Sequence, residues 1–334
     1  MKIAINGFGR IGRALFRILD ARTDIELVAV NDLFEPQTLM YLLRYDTVMG
    51  RFEDPVDLED GTVVTRNTRA RMLAEPDPAN LPWKELGVEL VVEASGKFRS
   101  AEQLEKHLNA GAQRVVLTVP AKDEIDYTVV LGVNEDGLKP EHRTISNASC
   151  TTNCLAPMAK VLHEAFGIEE GVINTVHAYT NDQRLADVPH TDWRRSRAAA
   201  QNIIPTSTGA ARAVGVVLPE LKGKLDGIAS RVPVADGSVV DLVVELSTDA
   251  TVEDVHQAVR EASQSERMKN ILQYSDKPLV SSDIIGNPYS SIYDSSFTDV
   301  VGGRHLKTLN WYDNEWGYAC RICDLIELIS QFDA

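Results

Sequence analysis

The residues Gly7-Phe8-Gly9-Arg10-Ile11-Gly12 decide the fold of the amino-terminal half, because they fit the glycine pattern G-x-G-x-x-G. A short apolar run, residues 2–6, precedes the pattern, and helical periodicity follows from about Arg10 to Ala21. A second apolar run ends at Asn31-Asp32, which puts an acidic residue twenty positions beyond the last glycine. This strand–turn–helix context predicts a dinucleotide-binding turn, which the glycine pattern alone would not.

The residue types in this turn also indicate which dinucleotide binds. Gly7, Gly9 and Gly12 permit a tight turn and a close approach of the backbone, and the free N–H groups of the helix N-terminus attract a pyrophosphate. Asp32 would accept hydrogen bonds from the adenosine ribose and repel a 2′-phosphate, by roughly 4 kcal/mol per pair of unit charges at 4 Å and an effective dielectric of about 20. The pattern therefore favours NAD over NADP. The alternative is an incidental glycine turn, with Asp32 as a strand-end cap.

The organisation of the chain changes near residue 148. Before this point, apolar runs alternate with helical segments, which is typical of a parallel, doubly wound sheet. After it, longer strand-like runs favour a mixed or antiparallel sheet backed by helices. We therefore predict an α/β chain with an amino-terminal Rossmann dinucleotide-binding domain, residues 1–148, and an α+β catalytic domain, residues 149–314. A carboxy-terminal helix, at about 315–334, would complete the first domain.

Composition excludes several classes of function. The chain has 334 residues and a net charge of −15, with no basic run beyond Arg194-Arg195, so nucleic acids and anionic membranes are not expected partners. It has no run of roughly eighteen apolar residues, and its start lacks a long apolar signal region, so we expect a cytoplasmic enzyme. Four cysteines are too few for a secreted disulfide scaffold.

Cys150 is the candidate nucleophile, since it precedes a helical apolar pattern that runs to about Phe166. A thiol at a helix N-terminus meets unpaired N–H groups and the positive end of the dipole, and both favour the thiolate. Pro157 should kink or interrupt this helix. Taken alone, a cysteine in this pattern is more often a buried structural thiol, so a neighbouring base is needed to support the catalytic interpretation of Cys150.

Among the histidines, His177 is the most suggestive base, because it stands at the end of a strand-like run. His107 and His163 lie in helical, partly charged segments and are predicted to be surface residues. The remaining cysteines could join Cys150 in a zinc site or form a redox dithiol, but apolar helical surroundings favour buried structural thiols. We therefore predict no metal site; these cysteines are Cys154, Cys320 and Cys323.

Three segments resemble one family, glyceraldehyde-3-phosphate dehydrogenase, and the resemblance runs essentially from end to end. They are residues 4–13 (AINGFGRIGR), 146–154 (SNASCTTNC) and 311–318 (WYDNEWGY). The resemblance implies that Cys150 attacks the aldehyde, that His177 acts as base, and that inorganic phosphate cleaves the resulting thioester. It also implies a homotetramer, in which the loop from Ala178 to Gln201 lies near the cofactor of a neighbouring subunit.

The resemblance assigns further residues by position in the family pattern. For the cofactor they are Arg10 and Ile11 at the pyrophosphate, Asp32 at the ribose, Thr118 on the nicotinamide side and Asn314 at the carboxamide. For the substrate phosphate they are Thr180 and Arg231, and for the attacking phosphate Ser149, Thr151, Thr208 and Gly209, with Arg195 near both. Val188-Pro189 resembles the apolar pair of NAD-preferring members.

One departure from the family pattern and several alternatives stay open at this point. Glu75-Pro76-Asp77-Pro78 stands where many bacterial relatives have Glu-Arg-Asp-Pro, which puts an adenine contact in doubt. The alternatives are erythrose-4-phosphate dehydrogenase, against which Thr180 argues, an NADP-preferring version of the same enzyme, and a non-catalytic NAD-binding or redox-sensing protein.

Overall fold

The computed structural model describes residues 1–333 and divides the chain into two compact units, each built on its own sheet. Unit 1 comprises Met1–Val129, Asp136–Ser149 and the segment from Ala319 onward. Unit 2 comprises Val130–Glu135 and Cys150–Tyr318.

Unit 1 is a doubly wound α/β unit. Its strands are β1 (Lys2–Asn6), β2 (Glu26–Asn31), β3 (Tyr45–Asp46), β4 (Gly50–Arg51), β5 (Asp57–Glu59), β6 (Thr62–Val64), β7 (Arg69–Leu73), β8 (Leu90–Glu93), β9 (Arg114–Leu117), β10 (Tyr127–Thr128) and β11 (Thr144–Ser146). Its helices are α1 (Arg10–Asp20), α2 (Pro36–Arg44), α3 (Trp83–Leu86) and α4 (Ala101–Asn109).

The sheet of unit 1 runs in the order β10-β11-β9-β8-β1-β2-β7-β6-β5. The pairs from β10 to β7 are parallel, and β6 and β5 extend the sheet in antiparallel pairing. The central strands are buried along most of their length and consist mainly of apolar residues, as expected for strands covered on both faces. Strand order reverses at β1, between β2 and β8, and crevices at such a switch point bind ligands at the carboxyl ends of the strands.

Unit 2 is an α+β unit. Its elements are α5 (Cys150–Phe166), β12 (Ile168–Ala178), β13 (Ile204–Ser207), α6 (Ala210–Val217), β14 (Leu225–Val232), β15 (Ser238–Leu246), α7 (Val252–Gln264), β16 (Leu272–Ser275), β17 (Ser291–Asp294), β18 (Asp299–Val301) and β19 (His305–Tyr312). The sheet order is β13-β14-β12-β15-β19-β17-β16, and β18 pairs with β19. Among the described strand pairs of this second sheet, β12–β14 and β16–β17 are parallel and the others are antiparallel. The predicted fold class, with one Rossmann unit and one α+β unit built on a mixed sheet, is confirmed.

Two helices differ in detail from the prediction. α5 continues through Pro157, so the expected interruption is absent from this helix as the structure describes it. Its buried face, which includes Leu155, Met158 and Leu162, provides the packing that offsets the missing backbone hydrogen bond. The terminal helix α8 spans Trp316–Ser330, followed by a short 3₁₀ turn at Gln331–Asp333. The predicted end at position 334 lies outside the described residues.

Candidate functional site

The three glycines of the nucleotide-binding turn have different physical roles. Gly7 has φ +100°, and a Cβ there would lie 2.4 Å from the backbone nitrogen of Ser95. A Cβ on Gly12 would lie 2.2 Å from the carbonyl oxygen of Gly7, so only glycine lets α1 start this close to β1. A Cβ on Gly9 would meet nothing within 4 Å. Gly7 and Gly12 are therefore required by the fold, and Gly9 leaves open space that fits a closely bound pyrophosphate.

Asp32 joins the turn to the end of β2. Its Oδ2 accepts a hydrogen bond from the Phe8 backbone N–H at 2.7 Å, and its Oδ1 accepts from Phe34 N–H at 3.2 Å. The residue remains partly exposed, so its carboxylate is accessible to a ribose. The carboxylate thus holds the turn in place and presents a negative charge beside it, as the preference for NAD requires.

The Arg10 side chain has a partner within the protein. Its guanidinium forms an ion pair with Asp46, whose pKa is lowered by backbone hydrogen bonds from Met49 and Val48 and by Arg10, against the opposing effect of burial. Arg10 is also the first residue of α1, so its backbone N–H lies in the first turn of the helix. Any pyrophosphate contact at Arg10 and Ile11 is therefore expected from backbone N–H groups.

A buried polar network lies beneath the turn, and the sequence did not predict it. The carboxylate of Glu93 accepts from Asn6 Nδ2, from Ser95 N–H at 2.8 Å and from His107 Nε2 at 3.1 Å. Trp83 Nε1 donates to His107 Nδ1 at 3.0 Å, which leaves the proton of the neutral ring on Nε2. The prediction that His107 lies on the surface was wrong, because Trp83 and Glu93 satisfy both of its nitrogens in the core.

The segment with the departure from the family pattern is tied to this network. Asn31 Nδ2 donates to Asn6 Oδ1 at 2.7 Å and to the Glu75 carbonyl at 2.9 Å, and Asn31 Oδ1 accepts from Glu75 N–H at 2.9 Å. Asp77 caps the following 3₁₀ turn by accepting from Ala79 N–H at 3.2 Å. Pro76 therefore lies in a loop whose backbone is held by hydrogen bonds at Glu75 on one side and at Asp77 on the other.

The Cys150 centre is built from three elements of unit 2. Cys150 begins α5, and its Sγ lies 3.6 Å from Nε2 of His177 on β12. Arg231 is the register neighbour of His177 on β14. His177 Nδ1 lies 2.7 Å from the Ala178 carbonyl, to which Arg231 Nη1 also donates at 3.0 Å. Arg231 Nη1 also lies 2.7 Å from His177 Nδ1. In the tautomer that carries its proton on Nδ1 and donates it to the Ala178 carbonyl, His177 presents the Nε2 lone pair to the thiol.

Burial sets the protonation states of this pair. It raises the pKa of Cys150, and the charge of Arg231 and the hydrogen bonds of Thr151 only partly oppose it. Burial, followed by the charge of Arg231, lowers the pKa of His177 to about 3. Desolvation therefore opposes the stabilisation of the thiolate that is expected at the helix N-terminus. Both shifts favour a thiol beside a neutral imidazole, which is the arrangement of a nucleophile next to its general base.

The residues predicted to bind phosphate lie on different elements of the structure. Thr151 Oγ1 is hydrogen-bonded to the buried Tyr312 hydroxyl at 2.8 Å, and the same hydroxyl contacts Thr175 at 2.9 Å. Thr208 Oγ1 accepts from Ala210 N–H at 3.2 Å at the start of α6, whose N-cap is Gly209. This helix start combines a hydroxyl with free backbone N–H groups, which suits an anion.

Arg195 is less available than the sequence implied. Its guanidinium forms an ion pair with Asp182 and donates to Thr206 Oγ1 at 2.9 Å. The Thr180 backbone N–H donates to Gln183 Oε1 at 3.2 Å. An anion near Arg195 would have to compete with the carboxylate of Asp182. Ser149 directly precedes α5 and is partly buried; it belongs to unit 1, so the structure gives no arrangement of it with the unit 2 residues.

Two further cofactor candidates lie in buried positions. Asn314 Oδ1 accepts from Ser238 Oγ at 2.5 Å, and Ser238 Oγ itself accepts from Ala178 N–H at 3.0 Å. This assigns the Asn314 amide and leaves its Nδ2 as the donating end. Thr118, at the end of β9, donates from Oγ1 to the Glu93 carbonyl at 3.1 Å.

One strained residue was missed by the sequence reading. Ala148 has φ +53° and is buried, two residues before Cys150. Its N–H donates to Ser146 Oγ at 3.1 Å. Non-glycine residues rarely adopt this region, and such strain is concentrated at functional sites. The Ser-x-Ala spacing before the cysteine gave no signal of it.

The other cysteines, all of which lie among residues 1–333, form no disulfide. Cys154 and Cys323 are buried, and burial raises the pKa of both, that of Cys323 to about 11. No group of three or more potential metal ligands occurs among residues 1–333. Over the same part of the chain, no helix has the length and apolar character needed to cross a membrane.

The fold and turn define a Rossmann-type, dinucleotide-dependent oxidoreductase that carries a cysteine–histidine pair. Comparison with known proteins agrees. Residues 1–101 match the family model described as glyceraldehyde 3-phosphate dehydrogenase, NAD binding domain, and residues 149–314 match the C-terminal domain of the same enzyme. The chain belongs to the glyceraldehyde-3-phosphate dehydrogenase family and is an NAD-dependent oxidoreductase.

Three relatives named glyceraldehyde-3-phosphate dehydrogenase are similar over nearly their whole length. The protein from Borreliella burgdorferi is 55% identical, over 98% of this chain and 99% of the relative. The protein from Streptomyces coelicolor is 54% identical over 97% of both chains, and that from Geobacillus stearothermophilus is 54% identical over 99% of this chain and 98% of the relative.

Proposed function

We propose that this chain oxidises D-glyceraldehyde 3-phosphate to 1,3-bisphosphoglycerate, with NAD as hydride acceptor and inorganic phosphate as second substrate. The observation that carries the proposal is the 3.6 Å approach of Cys150 Sγ to His177 Nε2, in a chain that also has a dinucleotide-binding turn. The turn fits NAD because Gly9 leaves room for the pyrophosphate and Asp32 offers a partly exposed carboxylate to the ribose.

The first step is attack of Cys150 on the aldehyde carbon. Its Sγ forms a bond to this carbon while the thiol proton moves to His177 Nε2, which faces the thiol with a lone pair. The carbonyl oxygen becomes an oxyanion and takes that proton back, which gives a neutral thiohemiacetal on Cys150. Because the resting His177 is neutral, it can receive the proton at the start of each cycle.

The second step is oxidation of the thiohemiacetal. His177 withdraws the hydroxyl proton while a hydride leaves the same carbon, so that Cys150 carries a thioester. NAD, when bound, supplies the hydride acceptor. The Ala178 carbonyl stabilises the imidazolium form of His177 by accepting its Nδ1 proton, whereas Arg231 opposes that charge and keeps the imidazolium acidic.

The third step releases the acyl group. An oxygen of inorganic phosphate attacks the thioester carbon, the carbon–sulfur bond breaks, and the departing Cys150 sulfur recovers the proton from His177. We assign this phosphate to Ser149, Thr151, Thr208 and Gly209, and the substrate phosphate to Thr180 and Arg231, with Arg195 near both. Support comes from the start of α6, where the Thr208 hydroxyl and backbone N–H groups are close together.

The cofactor contacts follow the same scheme. We assign the pyrophosphate to the backbone of the Gly7–Gly12 turn, the adenosine ribose to Asp32, and the nicotinamide carboxamide to Asn314, with Thr118 on the nicotinamide side. Asp32 supports a preference for NAD over NADP. The donating Nδ2 of Asn314 suits a carboxamide oxygen, since Ser238 occupies Oδ1.

We infer a homotetrameric, cytoplasmic enzyme with domain limits at residues 1–148 and 149–314. The loop from Ala178 to Gln201 supports an oligomer, because it exposes large apolar side chains, with Leu185 85% and Trp193 86% exposed. Light scattering of the purified protein tests this inference. A monomer at micromolar concentration would contradict a role of the loop between subunits.

The reaction is tested by following NADH formation with NAD and glyceraldehyde 3-phosphate, with and without inorganic phosphate. Erythrose 4-phosphate and NADP serve as parallel alternatives for substrate and cofactor. We expect turnover that requires phosphate and prefers the triose and NAD. Turnover independent of phosphate would contradict the phosphate assignment, and absence of turnover would favour a non-catalytic NAD-binding protein. The names of the relatives do not favour that alternative or the erythrose-4-phosphate enzyme.

A further inference from the structure

Two buried carboxyl groups that the mechanism does not use lie side by side in unit 2. Asp236 lies in the loop between β14 and β15, and Asp313 directly follows β19. Asp236 is 2% exposed and Asp313 is 1% exposed, and the two side chains are within hydrogen-bonding reach. Two ionised carboxylates cannot be neighbours in the interior without a large repulsion.

The hydrogen-bond donors around the two groups are unequally shared. Asp313 accepts three backbone N–H groups, from Glu315 at 2.9 Å, Trp316 at 2.6 Å and Gly286 at 2.7 Å. Asp236 Oδ1 accepts from Gly237 N–H at 2.8 Å, while Asp236 Oδ2 is buried and meets no donor within residues 1–333. Asp313 therefore has three backbone donors, whereas Asp236 Oδ2 has none.

A single proton resolves both the repulsion and the unpaired oxygen. If Asp236 Oδ2 carries the proton, it becomes a donor, and the Asp313 carboxylate beside it becomes the acceptor. Burial, the charge of Asp313 and the charge of Glu315 act in the same direction and raise the pKa of Asp236 to about 9. The negative charges that act on Asp236 are thus Asp313 and Glu315.

We propose that Asp236 is a neutral acid at physiological pH and that its hydrogen bond to Asp313 positions Asn314 for the nicotinamide. The segment from Asp236 to the start of β15 then contacts the segment after β19 at two points, since Ser238 Oγ also donates to Asn314 Oδ1 at 2.5 Å. Loss of the Asp236 proton would place two negative charges in contact and separate the two segments. This inference rests on the cofactor role assigned to Asn314 under the proposed function.

The proton on Asp236 also affects the pKa of the nucleophile, Cys150. A negative charge on Asp236 raises the pKa of the Cys150 thiol, in opposition to Arg231, which lowers it. While Asp236 is neutral, that unfavourable effect is absent. Neutral Asp236 therefore positions Asn314 and also avoids raising the pKa of Cys150. Both benefits are lost at alkaline pH, when Asp236 becomes negatively charged.

The test is the pH dependence of NAD binding, measured by fluorescence titration of the full-length protein at pH 7.5 and 10. If NAD binds only the protonated pair, the wild-type Kd should rise severalfold between pH 7.5 and 10, because Asp236 loses its proton over this range. In Asp236→Asn the amide stays neutral and can donate to Asp313, so we expect a Kd change of less than about twofold. Asp226→Asn is the matched control, because Asp226 is exposed on β14, and it should behave as wild type.

Alkylation of Cys150 provides a readout without cofactor. At pH 10 we expect Asp236→Asn to react faster than wild type, because the added negative charge is absent. Parallel changes of Kd with pH in wild type and Asp236→Asn would overturn the proposal. Loss of phosphate-dependent turnover with this pH dependence intact would instead overturn the proposed function.

A measurement on the unmodified chain covers the case in which Asp236→Asn does not fold. Carbon-13 labelling of aspartate carboxyl groups allows their protonation to be followed by NMR. We expect one aspartate carboxyl to be protonated at pH 7.5 and to titrate between pH 8 and 10. If every aspartate is already ionised at pH 7.5, the shared proton does not exist and the proposal is wrong.

Discussion

Replacement of His177 by asparagine tests whether this residue is the base that activates Cys150. The nucleophile begins as a thiol, because burial raises its pKa above the ordinary value of 9.0. At pH 7.5 only a small fraction of the thiol would therefore be ionised without help. His177 Nε2, at 3.6 Å from Sγ, is positioned to take the proton during attack. Asparagine keeps a polar side chain of smaller size but cannot accept that proton.

The expected loss follows from these numbers. Without a base, attack depends on the small ionised fraction, and loss of the base in the oxidation step slows the reaction further. General-base catalysis contributes typically about 10² to 10⁴. We therefore expect acylation to slow by about 10² to 10⁴, equivalent to about 3–5 kcal/mol of transition-state stabilisation.

Rapid-mixing measurements of the first turnover of NADH provide the assay. In His177→Asn the rate should rise about tenfold per pH unit between pH 7 and 9, because hydroxide now supplies the thiolate, whereas the wild-type rate should change less. His305→Asn is the control, since His305 is exposed on β19. A loss of less than tenfold, or equal pH slopes in the two proteins, would refute the assignment of His177 as base.

The remaining predictions concern the nucleotide-binding turn. Gly12→Ala should destabilise the apo protein by about 1–3 kcal/mol, seen as a lower Tm, because its Cβ would overlap the Gly7 carbonyl oxygen. Gly9→Ala should leave the Tm unchanged and weaken NAD binding about tenfold in calorimetric titration, about 1.4 kcal/mol, since its Cβ enters space reserved for the pyrophosphate. Equal effects of the two changes on Tm would contradict this division of roles. Asp32→Asn should shift the ratio of kcat/KM for NAD and NADP about tenfold toward NADP. The substitution removes the negative charge beside the ribose but keeps an acceptor for Phe8 N–H. An unchanged ratio would mean that Asp32 does not select the cofactor.

Much of the fold was predictable, because local patterns specify it. The glycines at 7, 9 and 12 stand between a strand and a helix, and Asp32 ends the next strand, so one stretch of sequence predicts a Rossmann turn. The change to longer strands after residue 148 predicts the mixed sheet of unit 2 for the same reason. The position of Cys150 at the start of α5 could also be predicted from the local pattern.

Contacts between distant residues were not predictable from local pattern. His107 lies in a helix with charged neighbours, which indicates a surface position. It is buried instead, because Trp83 and Glu93 form hydrogen bonds with its two ring nitrogens in the core. The thiol at the start of α5 was expected to ionise readily, but desolvation outweighs the helix N-terminus, and only the packed structure reveals that balance. Asp236 gave no signal at all, since its partner Asp313 is far along the chain.

The proximity of Cys150 and His177 is an intermediate case. Each residue attracted attention by its place at an element end, but the sequence alone could not pair them. Their pairing depends on α5 packing beside β12 and on the register that sets Arg231 next to His177. The family resemblance supplied the pairing before the geometry did.

The central claim is that the reaction proceeds through a thioester on Cys150. The most direct test mixes the protein with NAD and glyceraldehyde 3-phosphate in the absence of inorganic phosphate and analyses it by mass spectrometry. We predict one equivalent of NADH per active site and a 3-phosphoglyceroyl adduct on the peptide that contains Cys150, removed on addition of phosphate. NADH formation with no adduct, or an adduct on another residue, would contradict the mechanism.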